Sequence, residues 1–314
     1  MAPPTTRAAV LSAVEARRDD RTAGTRLAGK VGIITGVGPV NGIGTNAARL
    51  FAREQVAAVY FLDLSKELPA LADLLRSEYP GVKITAINGD VASDAVVSDV
   101  VARALRETGR LDFFFANAGV TQLGRTPPEQ LGNKAGAVKE VQQAVRTIAT
   151  IPGDEFSEVM RINALSVFLA IKYAAPALSV TSAAKPVPGG SIVVTASVAG
   201  IRSNAGPIAY SASKAAVISM AQTSAYELAG KNIRVNAICP GLIETNMTKA
   251  LFTLARGSGK GDAVGQLNPL HRYGLPYEIA SAALFLVSDE SSYVNGQAVA
   301  VDGGLSGGHP YARL

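Results

Sequence analysis

From Val31 onward the chain alternates short apolar runs with longer stretches in which apolar residues recur every three or four positions. The runs VGIIT (31–35), AAVYFLD (57–63), VKITAIN (82–88), LDFFFA (111–116), SIVVTA (191–196), IRVNAI (233–238) and QAVAV (297–301) are rich in β-branched and aromatic residues and predict strands. Helices are predicted between them, beginning near Gly42, Leu68, Ser93, Asp154, Pro207 and Pro276. Strands that are apolar on both faces need cover on both, and helices between them supply it. The pattern therefore predicts an α/β fold, a doubly wound parallel sheet of about seven strands with helices on both faces, in a single domain spanning 30–314.

Three segments depart from the alternation. Residues 121–152 are longer than the ~2–6 residues usual for such a connection. Within them Leu131, Ala135, Val138, Val141, Val145 and Ile148 keep helical spacing, so the insertion is expected to form an extra amphipathic helix beside the substrate cleft. Residues 246–268 pair apolar Met247, Leu251, Phe252 and Leu254 with RGSGKGD and read as a substrate lid on a flexible hinge. Residues 1–29 read as an N-terminal extension, flexible or weakly helical, without the apolar core of a signal peptide.

Composition narrows the function classes. Hydrophobic residues make up 48% of the 314 and charged ones 18%, enough apolar material for a large core. Three of the five net positive charges fall within residues 1–30, and the rest of the chain is nearly balanced, which argues against a nucleic-acid partner. Apolar runs such as IASAALFLVS (279–288) are about half the ~20 residues of a membrane span, so no membrane partner is expected. The single cysteine, Cys239, reads as a buried strand thiol, and His271 and His309 are too isolated for a metal site.

The turn TGVGPVNGIG (35–44) can be registered from Gly36 or from Gly38. Either way Gly42 and Gly44 open a helix whose amides can face a pyrophosphate. The strand before it fixes where the turn begins, so it reads as a dinucleotide loop with a two-residue bulge near Gly38–Asn41, of the Rossmann type. Nineteen residues after Gly44 the second strand closes on Asp63, where an acid can accept from the adenosine ribose hydroxyls. The next two strands end in Gly89-Asp90-Val91 and Asn117-Ala118-Gly119, at the sheet edge where ligands bind.

The segment TASVAGIRSNAGPIAYSASK (195–214) sets Tyr210 and Lys214 four apart on one helix face, with Ser197 closing the preceding strand. A tyrosine hydroxyl ordinarily titrates near 10, too high for a base at neutral pH. A neighbouring ammonium and an oxidised nicotinamide are expected to lower it, leaving Ser197 to hold the substrate oxygen while Tyr210 exchanges its proton.

With these motifs the chain resembles the short-chain dehydrogenase/reductase family of the classical type, over residues from about 27 to 305. The resemblance extends through Asn163 in MRINALSVF, Pro240-Gly241-Leu242-Ile243-Glu244-Thr245 and NGQAVAVDGG (295–304). It implies Asn163, Ser197, Tyr210 and Lys214 as catalytic residues, with Lys214 also binding ribose and Asn163 bending its helix as a member of a proton relay. It implies a cofactor site of Gly36, Gly38, Asn41, Gly42, Ile43, Gly44, Asp63, Leu64, Asp90, Val91, Asn117, Ala118, Gly119, Tyr210, Lys214, Pro240, Gly241, Ile243 and Thr245. NAD is expected ahead of NADP, because Asp63 repels a 2′-phosphate and VGPVN (37–41) carries no cation. The expected activity is that of an alcohol dehydrogenase or ketoreductase acting on a lipophilic secondary alcohol or ketone, cyclic ones included. An NADPH-dependent ketoreductase and a non-catalytic dinucleotide-binding regulator are the alternatives.

Two features set the chain apart. Most members of the family have three residues between the first glycine and Gly-Ile-Gly, whereas the reading from Gly36 gives five. Divergent enoyl reductases share so long a loop but use Tyr-x6-Lys, and Val217 stands seven residues after Tyr210. The resemblance implies a homodimer or homotetramer packed through the helices of Asn163 and Tyr210, and the small residues of 154–178 and 207–229 permit such close approach. A cytoplasmic location is expected, with a peroxisomal alternative from the terminal Ala312-Arg313-Leu314.

Overall fold

In a computed structural model of the chain, residues 4–19, 23–38, 40–121, 138 and 147–308 are described. The extra helix expected within 121–152 lies outside the described residues apart from Thr121, Val138 and 147–152, and so do His309 and the terminal tripeptide. The strands are β1 (Val31–Thr35), β2 (Ala58–Asp63), β3 (Lys83–Asn88), β4 (Phe113–Ala116), β5 (Gly190–Thr195), β6 (Ile233–Pro240) and β7 (Ala298–Val301). They form one sheet in the order β3-β2-β1-β4-β5-β6-β7, and every pair is parallel. This is the doubly wound sheet that the pattern predicts.

The helices are α1 (Pro4–Asp19), α2 (Ile43–Arg53), α3 (Leu68–Glu78), α4 (Asp94–Thr108), α5 (Gly153–Met160), α6 (Ser166–Leu178), α7 (Ile208–Glu227), α8 (Lys249–Gly257) and α9 (Pro276–Val287). Side chains alternate across each strand and so feed two cores. Ile33, Tyr60, Leu62, Phe114, Ile192 and Val194 pack against α4, α6 and α7. Ile34, Val59, Phe61, Phe113, Phe115 and Val193 pack against α2, α3 and α9. Each of the three consecutive phenylalanines of β4 is fully buried, a contribution of about 1.5–3 kcal/mol apiece relative to exposure. Phe51 of α2 meets Phe113 edge-on at 5.4 Å. The same ring explains Gly32 in mid-strand, since a Cβ there would fall 2.1 Å from Phe113.

The remaining segments frame the carboxyl edge of the sheet. Residues 246–268, expected as a lid, contain a 3₁₀ turn (Asn246–Thr248), α8 and a second 3₁₀ turn (Gly261–Ala263). The N-terminal extension forms α1, whose Arg7 donates to the carbonyls of Asp262 at 2.6 Å and Val264 at 3.0 Å.

Candidate active site

The sheet order reverses between β1 and β4, and the carboxyl ends of these strands open a crevice there. Thr35, the last residue of β1, holds the crevice together: its hydroxyl accepts from the amides of Asn117 (3.1 Å) and Ala118 (3.0 Å). Asn117 extends the link by donating to the carbonyls of Thr35 and Gly36 and accepting from the Thr195 hydroxyl at 3.1 Å. Strands β1, β4 and β5 are thereby pinned at the ends that carry the chemistry.

Gly36 turns the chain at φ 75, and a Cβ there would lie 2.8 Å from Ala118 Cα. Glycine is required on both counts. Gly44 packs so tightly beneath it that a Cβ would reach 2.2 Å from the Gly36 carbonyl. Helix α2 follows Gly42 with no side-chain cap, the kind of helix start whose amides can face an anion. Two residues past Gly36 the Gly38 amide donates to Asp63 Oδ2 at 3.0 Å, and the Ser65 amide donates to Oδ1 at 2.7 Å. The carboxylate is thus held in place by two backbone donors, with lone pairs left for a hydroxyl.

The crevice widens into a cleft of about 1920 Å³, larger than the ~300–1,000 Å³ usual for one small ligand. Gly36, Gly42, Ile43, Asp63, Leu64, Asp90, Val91, Asn117, Ala118, Gly119, Pro240, Gly241, Ile243 and Thr245 line it, together with Ser197, Tyr210 and Lys214. Gly38, Asn41, Gly44 and Asn163 do not line it. Gly38 supports Asp63, and Gly44 lies under the turn. Asn41 reaches the Glu244 carbonyl at 3.3 Å, and Asn163 sits behind the wall. A cleft of this length, with an uncapped helix start and a positioned carboxylate, fits a dinucleotide with room for a second molecule.

The reactive cluster lies at the end of β5. Ser197 is buried, and its hydroxyl accepts from the Ala199 amide at 3.1 Å as the cap of a short 3₁₀ turn. The Tyr210 phenol stands with it on the wall of the cleft. Lys214 lies one helical turn along α7, with its Nζ 5.6 Å from the Tyr210 ring centroid and 2.7 Å from the Thr195 carbonyl. Burial lowers its pKa from 10.5 to about 8. Burial also pushes the Tyr210 phenol above its ordinary value, opposed by the Ser197 hydroxyl. The lowering expected for Tyr210 is one that the ammonium and a bound oxidised nicotinamide would supply together against this desolvation.

Asn163 lies within a π-helical turn, Arg161–Leu165, that joins α5 to α6. Its Oδ1 accepts from the Val120 amide at 2.8 Å, and its Nδ2 donates to the Val120 carbonyl and to Ser213 Oγ, both at 2.9 Å. Ser213 in turn donates to the Tyr210 carbonyl at 2.7 Å. The asparagine therefore ties the chain beyond β4 to the helix of Tyr210. Gly119 allows this approach, since a Cβ there would lie 3.1 Å from Asn163 Oδ1 and 3.2 Å from Lys214 Nζ.

Several cleft residues escape sequence reasoning. Arg161 pairs with Asp90 at 2.7 Å and Glu158 at 2.8 Å. Arg202 donates to the carbonyls of Ser306 (2.8 Å) and Gly308, fastening the C-terminal segment beside the cleft. His271, too isolated in the sequence for a metal site, lines the cleft with Nδ1 3.1 Å from the Gln266 carbonyl. Only Arg202, five residues after Ser197, had a signal in its position. Cys239 is fully buried, and burial pushes its thiol up to about 11. Among the described residues no group of His, Cys, Asp and Glu could hold a metal, and no helix is long and apolar enough to cross a membrane.

Comparison with known proteins agrees with this geometry. A family model described as enoyl-(acyl carrier protein) reductase matches residues 36–306. A 3-oxoacyl-(acyl-carrier-protein) reductase of Thermotoga maritima is 37% identical over 282 residues, covering 89% of this chain and 99% of that protein. A 2-(R)-hydroxypropyl-CoM dehydrogenase of Xanthobacter autotrophicus is 32% identical over 277 residues, covering 87% and 97%. The crystal structure of levodione reductase superposes with a TM-score of 0.73 at 30% identity, covering 90% of this chain and 100% of its own. Since these reductases and dehydrogenases match nearly end to end, the chain belongs to the short-chain dehydrogenase/reductase family and is an oxidoreductase.

Proposed function

We propose that the protein is an NAD(H)-dependent dehydrogenase/ketoreductase that interconverts a secondary alcohol and a ketone on a lipophilic, cyclic small molecule. The observation that carries this reading is that Ser197, Tyr210 and Lys214 stand together on the wall of the cleft, with the Lys214 ammonium 5.6 Å from the centroid of the tyrosine ring.

The nicotinamide, when bound, supplies a hydride acceptor for oxidation and a hydride donor for reduction. Ser197 Oγ holds the substrate oxygen beside the phenol. In oxidation Tyr210 takes the hydroxyl proton as the carbinol hydrogen leaves as hydride; in reduction it returns that proton to the new alkoxide. At neutral pH Lys214, with a pKa of about 8, is mostly protonated, and its charge favours the tyrosinate that oxidation needs. Asn163 keeps the helix of Tyr210 in register through Ser213 and is the candidate link of a proton relay.

Asp63 supports NAD, because two backbone amides hold its carboxylate on the cleft wall, where it can accept from the ribose 2′-hydroxyl. Met247, Leu251 and Ile208, all exposed and all lining the cleft, support an apolar substrate. The spacing of Tyr210 and Lys214 argues against enoyl reduction. The position seven after the tyrosine is the fully buried Val217, with no cation to offer. The 37% identity to a 3-oxoacyl-(acyl-carrier-protein) reductase favours one second reading, an NADPH-dependent ketoreductase of 3-oxoacyl thioesters.

Initial rates with NADH and NADPH against 2-decalone, substituted cyclohexanones and acetoacetyl-CoA separate the readings. Turnover of cyclic ketones with NADH is expected. A preference for acetoacetyl-CoA with NADPH would establish the second reading, and cofactor binding without turnover of any ketone or alcohol would leave a regulator. A cytoplasmic location completes the proposal, and a reporter carrying the last dozen residues distinguishes it from the peroxisome.

A further inference from the structure

The N-terminal helix touches the domain where the substrate cleft is closed. Arg7, on the first turns of α1, spreads its guanidinium over the outer part of the lid segment. Nη1 donates to the Asp262 carbonyl at 2.6 Å and Nη2 to the Val264 carbonyl at 3.0 Å, while the guanidinium carbon sits 5.0 Å from the centroid of the Tyr273 ring. Planar donors in a fork suit two adjacent carbonyls and an aromatic face together, which a lysine cannot match.

The groups under Arg7 are mechanically linked to the cleft. Tyr273 meets Phe252 of α8 edge-on at 4.8 Å, and Phe252 is buried. The Asp262 carbonyl that accepts from Arg7 also accepts from Gln266 Nε2 at 2.9 Å. Gln266 adjoins Leu267, which is 90% exposed and lines the cleft, and its carbonyl meets the ring of His271. Gly265 turns between them at φ 84, so close to Tyr273 that a Cβ would reach 2.2 Å from its amide nitrogen. The loop 262–268 is thus gripped from one side by Arg7 and Tyr273 and exposes Leu267 on the other.

We propose that Arg7 is a positioning residue for substrate. From the N-terminal extension it fixes the outer loop of the lid, so that Leu267 and His271 stand at a set place on the cleft wall. The proposal rests on the reading of this cleft as the substrate site. Arg7 touches neither the glycine turn nor Tyr210, so cofactor binding and the proton step should be indifferent to it.

The test compares the full-length protein with Arg7→Ala and Arg7→Lys. Trypsin cleavage after the exposed Lys260, followed by mass spectrometry in the presence of NADH, reads how firmly the loop is held. Cleavage should accelerate about tenfold in Arg7→Ala, as expected for local opening after loss of charge-assisted bonds, and less in Arg7→Lys. The KM for 2-decalone should rise about three- to tenfold in Arg7→Ala, with kcat and NADH affinity held, and be partly restored in Arg7→Lys. Unchanged cleavage would overturn the proposal, as would faster cleavage with an unchanged KM, which would make Arg7 a structural fastening only. If the unmutated enzyme turned over no ketone, the reading of the cleft would fail; the cleavage rates would still decide whether Arg7 holds the loop.

Discussion

Lys214→Met should erase a pH dependence of stability that the unmutated protein carries. Lys214 is 3% exposed, and its ammonium donates to the neutral Thr195 carbonyl at 2.7 Å. Burial accordingly depresses its pKa from 10.5 to about 8, a displacement equivalent to ~3 kcal/mol. Below pH 8 the side chain is protonated folded and unfolded, and its cost is constant. Between about 8 and 10.5 the folded protein releases the proton while the unfolded chain keeps it. The unfolded state then binds more protons, so stability rises with pH and levels off above 10.5. Tyr210 and Cys239 titrate nearby, but burial holds both above their ordinary values, and their contribution is shared by the two proteins and largely cancels in the difference. At neutral pH the net gain from methionine should be small, ~0–2 kcal/mol, because the buried Thr195 carbonyl loses its donor. Urea unfolding of the cofactor-free proteins from about pH 7 to pH 10.5 measures the effect. The unmutated protein should gain ~3 kcal/mol on Lys214→Met across that interval. Parallel stability profiles for the two would refute the claim that a desolvated ammonium sits beneath the tyrosine.

Other expectations can be checked directly. Tyr210→Phe keeps the ring but loses the exchangeable proton, so turnover should fall by ~10²–10⁴ while NADH affinity, read by fluorescence, holds; near-full activity would end the mechanism. Asp63→Ala should shift the ratio of kcat/KM for NAD over NADP towards NADP by more than tenfold, since the carboxylate that rejects a 2′-phosphate is gone; an unmoved ratio would mean that another group reads the ribose. Gly32→Ala should destabilise by ~1–3 kcal/mol, because the added methyl meets the Phe113 ring; an unchanged urea midpoint would contradict the packing. Light scattering at micromolar concentration should report a dimer or tetramer, given exposed Phe168 on α6 and Tyr226 on α7; a monomer would contradict it.

The sheet was legible because its signal is local. A strand such as VGIIT or LDFFFA carries its burial on both faces in five or six consecutive residues, and the structure ends each strand within two residues of the expected position. The glycine turn and the Ser197, Tyr210 and Lys214 cluster were legible for the same reason: strand end and helix face fix where each side chain points. What was hidden depends on contacts between distant segments. Thr35 reads as an ordinary strand threonine until β4 delivers two amides to its hydroxyl. Arg161 and Asp90 are seventy-one residues apart, and Arg202 finds its partners more than a hundred residues on. The titration of Tyr210 was legible only in part, because a charge partner is visible in spacing, whereas desolvation depends on everything packed around the group.

The π turn at Arg161–Leu165 solves a problem of phase. Without it, α5 and α6 would form one straight helix, and each residue along it would be rotated about 100° from the last. The direction of Asn163 would then be dictated by the face that α6 must bury against the sheet. One extra residue in the turn uncouples the two. The turn's first residue, Arg161, can aim at Asp90, and the segment after it can seat Val167 and Leu169 in the core. Removing a single residue between 161 and 165 would therefore do more than shorten the chain. It would force a choice between a correctly packed sheet and a correctly aimed asparagine, so a one-residue deletion here should be harsher than the exchange of any one side chain in the turn.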